Sequence, residues 1–173
     1  VTRLALFEAR ATRVLETALG LGLIAMVLLN VANAVGRYSG LPTLTGADEL
    51  LIYAMIWLVM IGAVVVTRRR DHLAIDLLPQ RIGGAAERLL VVAVDAATAS
   101  VSAFVAWHSF VFVERIAAIE QTSMGLGIPM VIPHAAVTVG FAGMAISAVA
   151  LLVGDLLAVW PRSPATTRGP VRR

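Results

Sequence analysis

The sequence has no cysteine and no lysine, and charged side chains make up only 14% of its 173 residues. Without cysteine the chain forms no disulfide, no thiolate metal site and no thiol relay of the kind used by membrane disulfide-forming enzymes. Also missing are any Pro/Gly/Ser-rich linker and any internal repeat, so residues 1–173 read as a single domain. What fills the space is apolar. Hydrophobic residues make up 59% of the chain and the mean hydropathy is +0.87, values far from those of an ordinary soluble domain. The chain belongs in a membrane, and no nucleic-acid partner is expected.

Four segments stay apolar for about the 20 residues that a helix needs to cross the hydrocarbon. They cover 14–35, 50–67, 89–113 and 131–153. In a bilayer every backbone N–H and C=O must be satisfied internally, and runs this long without strand-like alternation indicate helices rather than a barrel. The expected fold is all-α: an integral membrane protein of four spans.

Arginine placement sets the expected orientation, because cytoplasmic flanks collect basic residues. Arg3, Arg10 and Arg13 precede the first span, Arg68, Arg69, Arg70, Arg81 and Arg88 lie between the second and third, and Arg162, Arg168, Arg172 and Arg173 follow the fourth. Arg37 and Arg115 alone fall on the other side. Both termini are therefore expected in the cytoplasm. The small-x-small pattern in "VANAV" (31–35) resembles a signal-peptidase site, but the preceding apolar run is too long for a signal core and carries Asn30.

Ahead of the first span, Val1, Leu4, Phe7, Ala11 and Val14 recur at helical intervals with Arg3, Glu8, Arg10 and Arg13 largely elsewhere. That pattern predicts an amphipathic interfacial helix over 1–13, resting on lipid headgroups. At the start of the second span, Thr45 is expected as N-cap, with Asp48 and Glu49 favoured by the positive end of the helix dipole. The tail 163–173 is expected to be disordered.

Polar groups within the spans form two stripes. Glu16, Asn30 and Arg37 are separated by multiples of seven, as are Arg88, Asp95, Ser102 and Ser109, so each set shares a helix face. Either the stripes meet in the bundle centre and satisfy one another, or Asp95 moves an ion or proton. Glu16 and Asp95 lie toward the cytoplasmic ends and no span is broken by a central proline, which favours packing or partner contact.

Histidine offers one further chemistry. His108 and His134 both fall near the outer surface, where a pair of neutral imidazoles on facing helices could ligate a haem, as in a small cytochrome b-like electron-transfer anchor. His72 lies on the opposite side. In "RRRDHLAIDLLP" (68–79) the arginines are topological anchors, and His72 and Asp76, four apart, are two ligands where a closed metal site needs more. No metal site and no cofactor are expected.

Together, "NVANAVGRY" (30–38), "ADELLIYAMIWLVMIGAVV" (47–65), "RRRDHLAIDLLP" (68–79) and "TSMGLGIPMVIP" (122–133) resemble, in order, the small membrane subunit of tripartite ATP-independent periplasmic (TRAP) transporters, the DctQ-like family. The resemblance implies a non-enzymatic scaffold in the bacterial inner membrane. Its implied partners are a large membrane subunit, which carries the substrate and sodium sites, and a periplasmic substrate-binding protein. The implied process is sodium symport of an organic acid. Asn30, Arg37 and Tyr38 match the family's exit from the first span. Glu49, Trp57 and Gly62 match its second span, Arg70, His72, Asp76 and Pro79 its central loop, and Ser123, Leu126, Ile128 and Pro129 the entry to its fourth span. Gly46-Ala47 departs from it, since an aromatic often precedes the acidic pair there. Glu16, Asp95 and these matched positions are the candidate partner-contact or structural residues. No catalytic or substrate-binding residue is implied.

Overall fold

The computed structural model describes residues 3–40, 43–69 and 84–159. Four helices account for nearly all of them: α1 (Arg3–Ser39), α2 (Ala47–Arg69), α3 (Gly84–Ala118) and α4 (Val131–Val159). Each is long and apolar enough to cross a membrane, and they contain the four spans expected from hydropathy. Among the described residues the only strand-like feature is an isolated bridge between Thr122 and Pro129. The fold is all-α.

The first helix has 37 residues and is about 55 Å long at 1.5 Å per residue. No break separates residue 13 from residue 14, so the amphipathic segment and the first span form one helix from Arg3 onward. A separate interfacial helix is not seen. The local sequence explains the continuity: neither glycine nor proline interrupts Arg10–Leu19, and the Thr17 hydroxyl folds back to donate to the Arg13 carbonyl at 2.9 Å. The expected tail over 163–173 falls outside the described residues.

In space the helices form a row in the order α1, α2, α4, α3. Antiparallel α1 packs on α2, where Gly22 lies against Leu58 and Leu19 approaches Gly62. From Glu16 onward the covered positions of α1 are Glu16, Leu19, Gly22, Met26, Leu29, Asn33 and Gly36, spaced alternately by three and four residues for most of their length.

The two inner helices, α2 and α4, run parallel, with Tyr53 against Met130, Met60 against Gly140 and Val64 against Gly143. Both glycines are needed for the approach. A Cβ on Gly140 would lie 2.7 Å from the Met60 Cβ, and one on Gly143 would lie 2.8 Å from a Val64 methyl. Such small-residue seams are how helices associate in lipid, where burial of apolar area supplies no driving force.

On the far side α3 packs antiparallel on α4. Its buried Asp95, Ala99, Ser102 and Ile116 fall where α4 covers it, and Ser109 and Thr138 share a hydrogen bond of 2.8 Å across the seam. The polar stripes of α1 and α3 therefore do not meet in a bundle centre. They lie on opposite edge helices, where Glu16 and Arg37 pair with α2 and Ser109 bonds to α4, while Asn30 and Arg88 stay exposed. Residues 43–46 and 119–130 lie together at one end of the row, here the connection end. Glu16 and Arg69 lie at the other, the terminal end.

Candidate functional site

The connection end is built around Glu49. The chain 122–129 folds back on itself through the Thr122–Pro129 bridge, with Ser123 N–H donating to the Ile128 carbonyl at 2.8 Å and Met130 N–H to the Gln121 carbonyl at 2.9 Å. The loop then presents two backbone donors to one carboxylate: Gly125 N–H to Oε1 at 2.8 Å and Leu126 N–H to Oε2 at 3.0 Å. Ser123 adds its hydroxyl to Glu49 while its Oγ accepts from Ile128 N–H at 3.2 Å. A carboxylate held by backbone amides forms strong, charge-assisted bonds. Glu49 thus joins the start of α2 to the connection between α3 and α4.

Glycine makes this geometry possible. A Cβ on Gly125 would sit 3.0 Å from the Glu49 carboxyl carbon. Gly46 has a φ of +82° and its missing Cβ leaves space that the Leu126 side chain occupies, 2.6 Å from where a Cβ would stand. This explains the departure at Gly46-Ala47: a side chain at 46 would strain the backbone and strike Leu126, and Ala47 is itself buried. Gly46, not Thr45, holds the N-cap position, since its carbonyl accepts the first helical bond from Leu50 N–H at 3.1 Å. The helix begins one residue later than the Thr45 cap would set it, and three residues before the apolar span 50–67.

Four other ionisable residues of the first two helices also act as ties. Arg37 pairs with Asp48 at the connection end, and Glu16 pairs with Arg69 at the terminal end. Asp48 and Glu49 therefore do more than complement a helix terminus: each reaches a different neighbour. Arg37 follows Glu16 by 21 residues on α1, and Arg69 follows Asp48 by 21 on α2. The two pairs stand about 32 Å apart at 1.5 Å per residue, close to the thickness of a hydrocarbon core of about 30 Å.

The remaining candidates are dispersed. Asp95 is buried on α3 and engaged within the chain. Trp57 is half-buried in α2. Pro129 closes the 122–129 loop and, through its carbonyl, accepts Ile132 N–H at 3.0 Å as α4 begins. Asn30 lines a shallow groove between α1 and α2. Arg70, His72 and Asp76 lie outside the described residues. The two histidines of the haem alternative engage different aromatics: His108 stacks on Phe104 with ring centroids 4.3 Å apart, and His134 on Phe112 at 5.2 Å. The His134 Nδ1 also lies 2.7 Å from the Met130 carbonyl, so that nitrogen carries the proton. Among the described residues no group of three or more His, Cys, Asp or Glu could hold a metal ion.

Sequence reasoning placed Glu49 and Ser123 among the candidates but not in contact, and it missed Gly125 and Leu126 as partners of Glu49 and Arg69 as the partner of Glu16. The glycine pair in "MGLG" is the one local signal for a loop that presents amides. Arg69 carried no signal that set it apart from the arginines beside it.

Residues 25–158, which take in every tie described except Glu16, match the model of the family described as tripartite ATP-independent periplasmic transporters, DctQ component. The chain belongs to that family. The resemblance read from its motifs is thereby borne out, and so is its placement as a multi-pass protein of the inner membrane. A similar protein is the isethionate TRAP transporter permease protein DctMQ of Oleidesulfovibrio alaskensis strain G20, 23% identical over 141 residues that cover 78% of this chain. This DctQ chain spans 22% of that relative's length.

Proposed function

We propose that this DctQ chain is the small permease subunit of a TRAP-type secondary transporter, a non-enzymatic scaffold with no catalytic or solute-binding group of its own. Its partners are a large membrane subunit and a periplasmic substrate-binding protein, and the process it serves is sodium-coupled uptake of an organic acid. The observation that carries this reading is what its ionisable groups do. Glu16, Arg37, Asp48, Glu49 and Arg69 hold one helix or loop to another. A carrier would instead gather such groups around a solute near mid-membrane.

A row one helix thick suits a scaffold. Long apolar helices remain largely uncovered on both faces of the row, ready for lipid or for a larger membrane partner. With the termini in the cytoplasm, as the arginine distribution favours, the Glu49 loop faces the periplasm, and Arg10 and Arg13, both exposed, meet cytoplasmic headgroups. The relative's name, an isethionate permease, is consistent with an organic acid as cargo for this system too.

The test is reconstitution. Liposomes that contain the large subunit, this chain and external binding protein should take up labelled organic acid when an inward sodium gradient is imposed, and liposomes that lack this chain should not. Uptake by this chain alone, or its purification with haem and without a polytopic partner, would overturn the scaffold reading.

A further inference from the structure

The groove between α1 and α2 is lined by Leu23, Met26, Val27 and Asn30 on one side and Leu51, Ile52 and Met55 on the other, with a volume of about 200 Å³. All but one of these side chains suit lipid. Asn30 is exposed and makes no hydrogen bond to any described residue. It lies seven residues before Arg37, about 10 Å toward the bilayer centre from the Arg37–Asp48 pair. At that depth an amide facing hydrocarbon has no water to bond to, and an unsatisfied polar group costs several kcal/mol.

A second amide repeats the anomaly. Asn33 is only 6% exposed, and its buried Oδ1 has no hydrogen-bond partner. Two amides within one turn of α1 thus carry unmet bonding capacity in the apolar zone, while the polar groups near the helix ends, Glu16, Arg37, Asp48 and Arg69, are paired within the chain. Exposed polar residues in spans turn toward protein rather than lipid. The methionines beside Asn30 add an adaptable apolar wall, since the thioether side chain fills irregular gaps.

We infer that this groove seats a transmembrane helix of the large permease subunit, one that brings a hydrogen-bonding side chain or an open backbone carbonyl to Asn30. The inference rests on the scaffold reading and deepens it by choosing the face. The partner is chosen by chemistry and by length: the relative continues for nearly four-fifths of its own sequence beyond the part that matches this chain, and a permease polypeptide of that size has further helices to pack. An acyl chain would fill the apolar wall but offer the amide nothing.

The experiment uses the intact complex, with a photoreactive benzoylphenylalanine placed singly at Leu23, Met26 or Met55 and, as controls, at Val101 or Phe104 on α3. Irradiation in native membranes should join the groove positions to the large subunit, and the α3 positions should do so far less. Asn30→Leu should lower the large subunit recovered with this chain about fivefold, as for loss of one interhelical hydrogen bond in a membrane, and Asn30→Gln should retain more of it. Crosslinks only to lipid, only to a second copy of this chain, or only from α3 overturn the assignment of the groove. So does an Asn30→Leu chain that holds its partner as well as the wild type. If the partner is recovered in those cases the scaffold reading stands, whereas failure to recover any partner with the wild-type chain removes both.

Discussion

Glu49 accepts the backbone N–H of Gly125 at 2.8 Å, so the first turn of α2 is fastened to the loop that joins α3 to α4, 76 residues away in sequence. With Leu126 N–H and the Ser123 hydroxyl on the same carboxylate, a single side chain organises the connection end.

Glu49→Ala should leave the amides of Gly125 and Leu126 without their acceptor. Hydrogen exchange followed by mass spectrometry should show the 122–129 loop losing protection while the middles of α3 and α4 keep theirs. Glu49→Gln retains one oxygen acceptor and should give an intermediate result. Unchanged loop protection in Glu49→Ala would mean that the loop holds its shape through Thr122–Pro129 and Ser123 alone.

The α2–α4 seam makes a prediction about rescue. Gly143→Ala adds a methyl 2.8 Å from Val64 Cγ2 but 3.7 Å from its Cβ, so it should destabilise the fold by about 1–3 kcal/mol and Val64→Ala should recover most of the loss. Gly140→Ala meets the Met60 Cβ itself at 2.7 Å, so Met60→Ala should not rescue it. Thermal unfolding in mild detergent distinguishes the two double variants.

Gly46→Ala combines a left-handed backbone at φ +82° with a clash against Leu126. The backbone strain alone costs about 1–2 kcal/mol. Leu126→Ala should therefore relieve only part of the loss measured by unfolding. Full recovery would show that the clash was the whole effect.

At the terminal end, Glu16→Arg and Arg69→Glu should each lower stability, and the two together should restore it. The coupling of a partly exposed pair is about 0.2–1 kcal/mol, and a double-mutant cycle on unfolding midpoints measures it. A cycle with no coupling would mean that Arg69 is held by the headgroup region rather than by Glu16.

The number and approximate extent of the helices were legible from hydropathy because each span stays apolar for its whole length. What was not legible follows from what periodicity contains. Spacing by seven places Glu16, Asn30 and Arg37 on one side of α1, but it does not say which helix covers that side. The row order, with α1 and α3 at opposite edges, depends on contacts such as Gly140 with Met60 that no local pattern announces. Glu49 and Ser123 were found by likeness to a family, and their meeting requires the loop glycines to turn two amides inward. Asn33, three residues past Asn30, is more deeply covered than it, because it falls on the seam with α2 rather than beside it.

The covered positions of α1 deserve a geometric reading. Leu19, Met26 and Asn33 are seven apart, as are Gly22, Leu29 and Gly36, whereas a straight α-helix needs 3.6 residues per turn and drifts by about 20° per heptad against such a repeat. Glu16 to Arg37 is three heptads. A seam that holds both ion pairs over that length favours a left-handed winding of α1 about α2, by about 60° over three heptads. The pair therefore offers a twisted strip to whatever lies beside it, and a neighbouring helix that follows this strip across the bilayer must cross at a tilt.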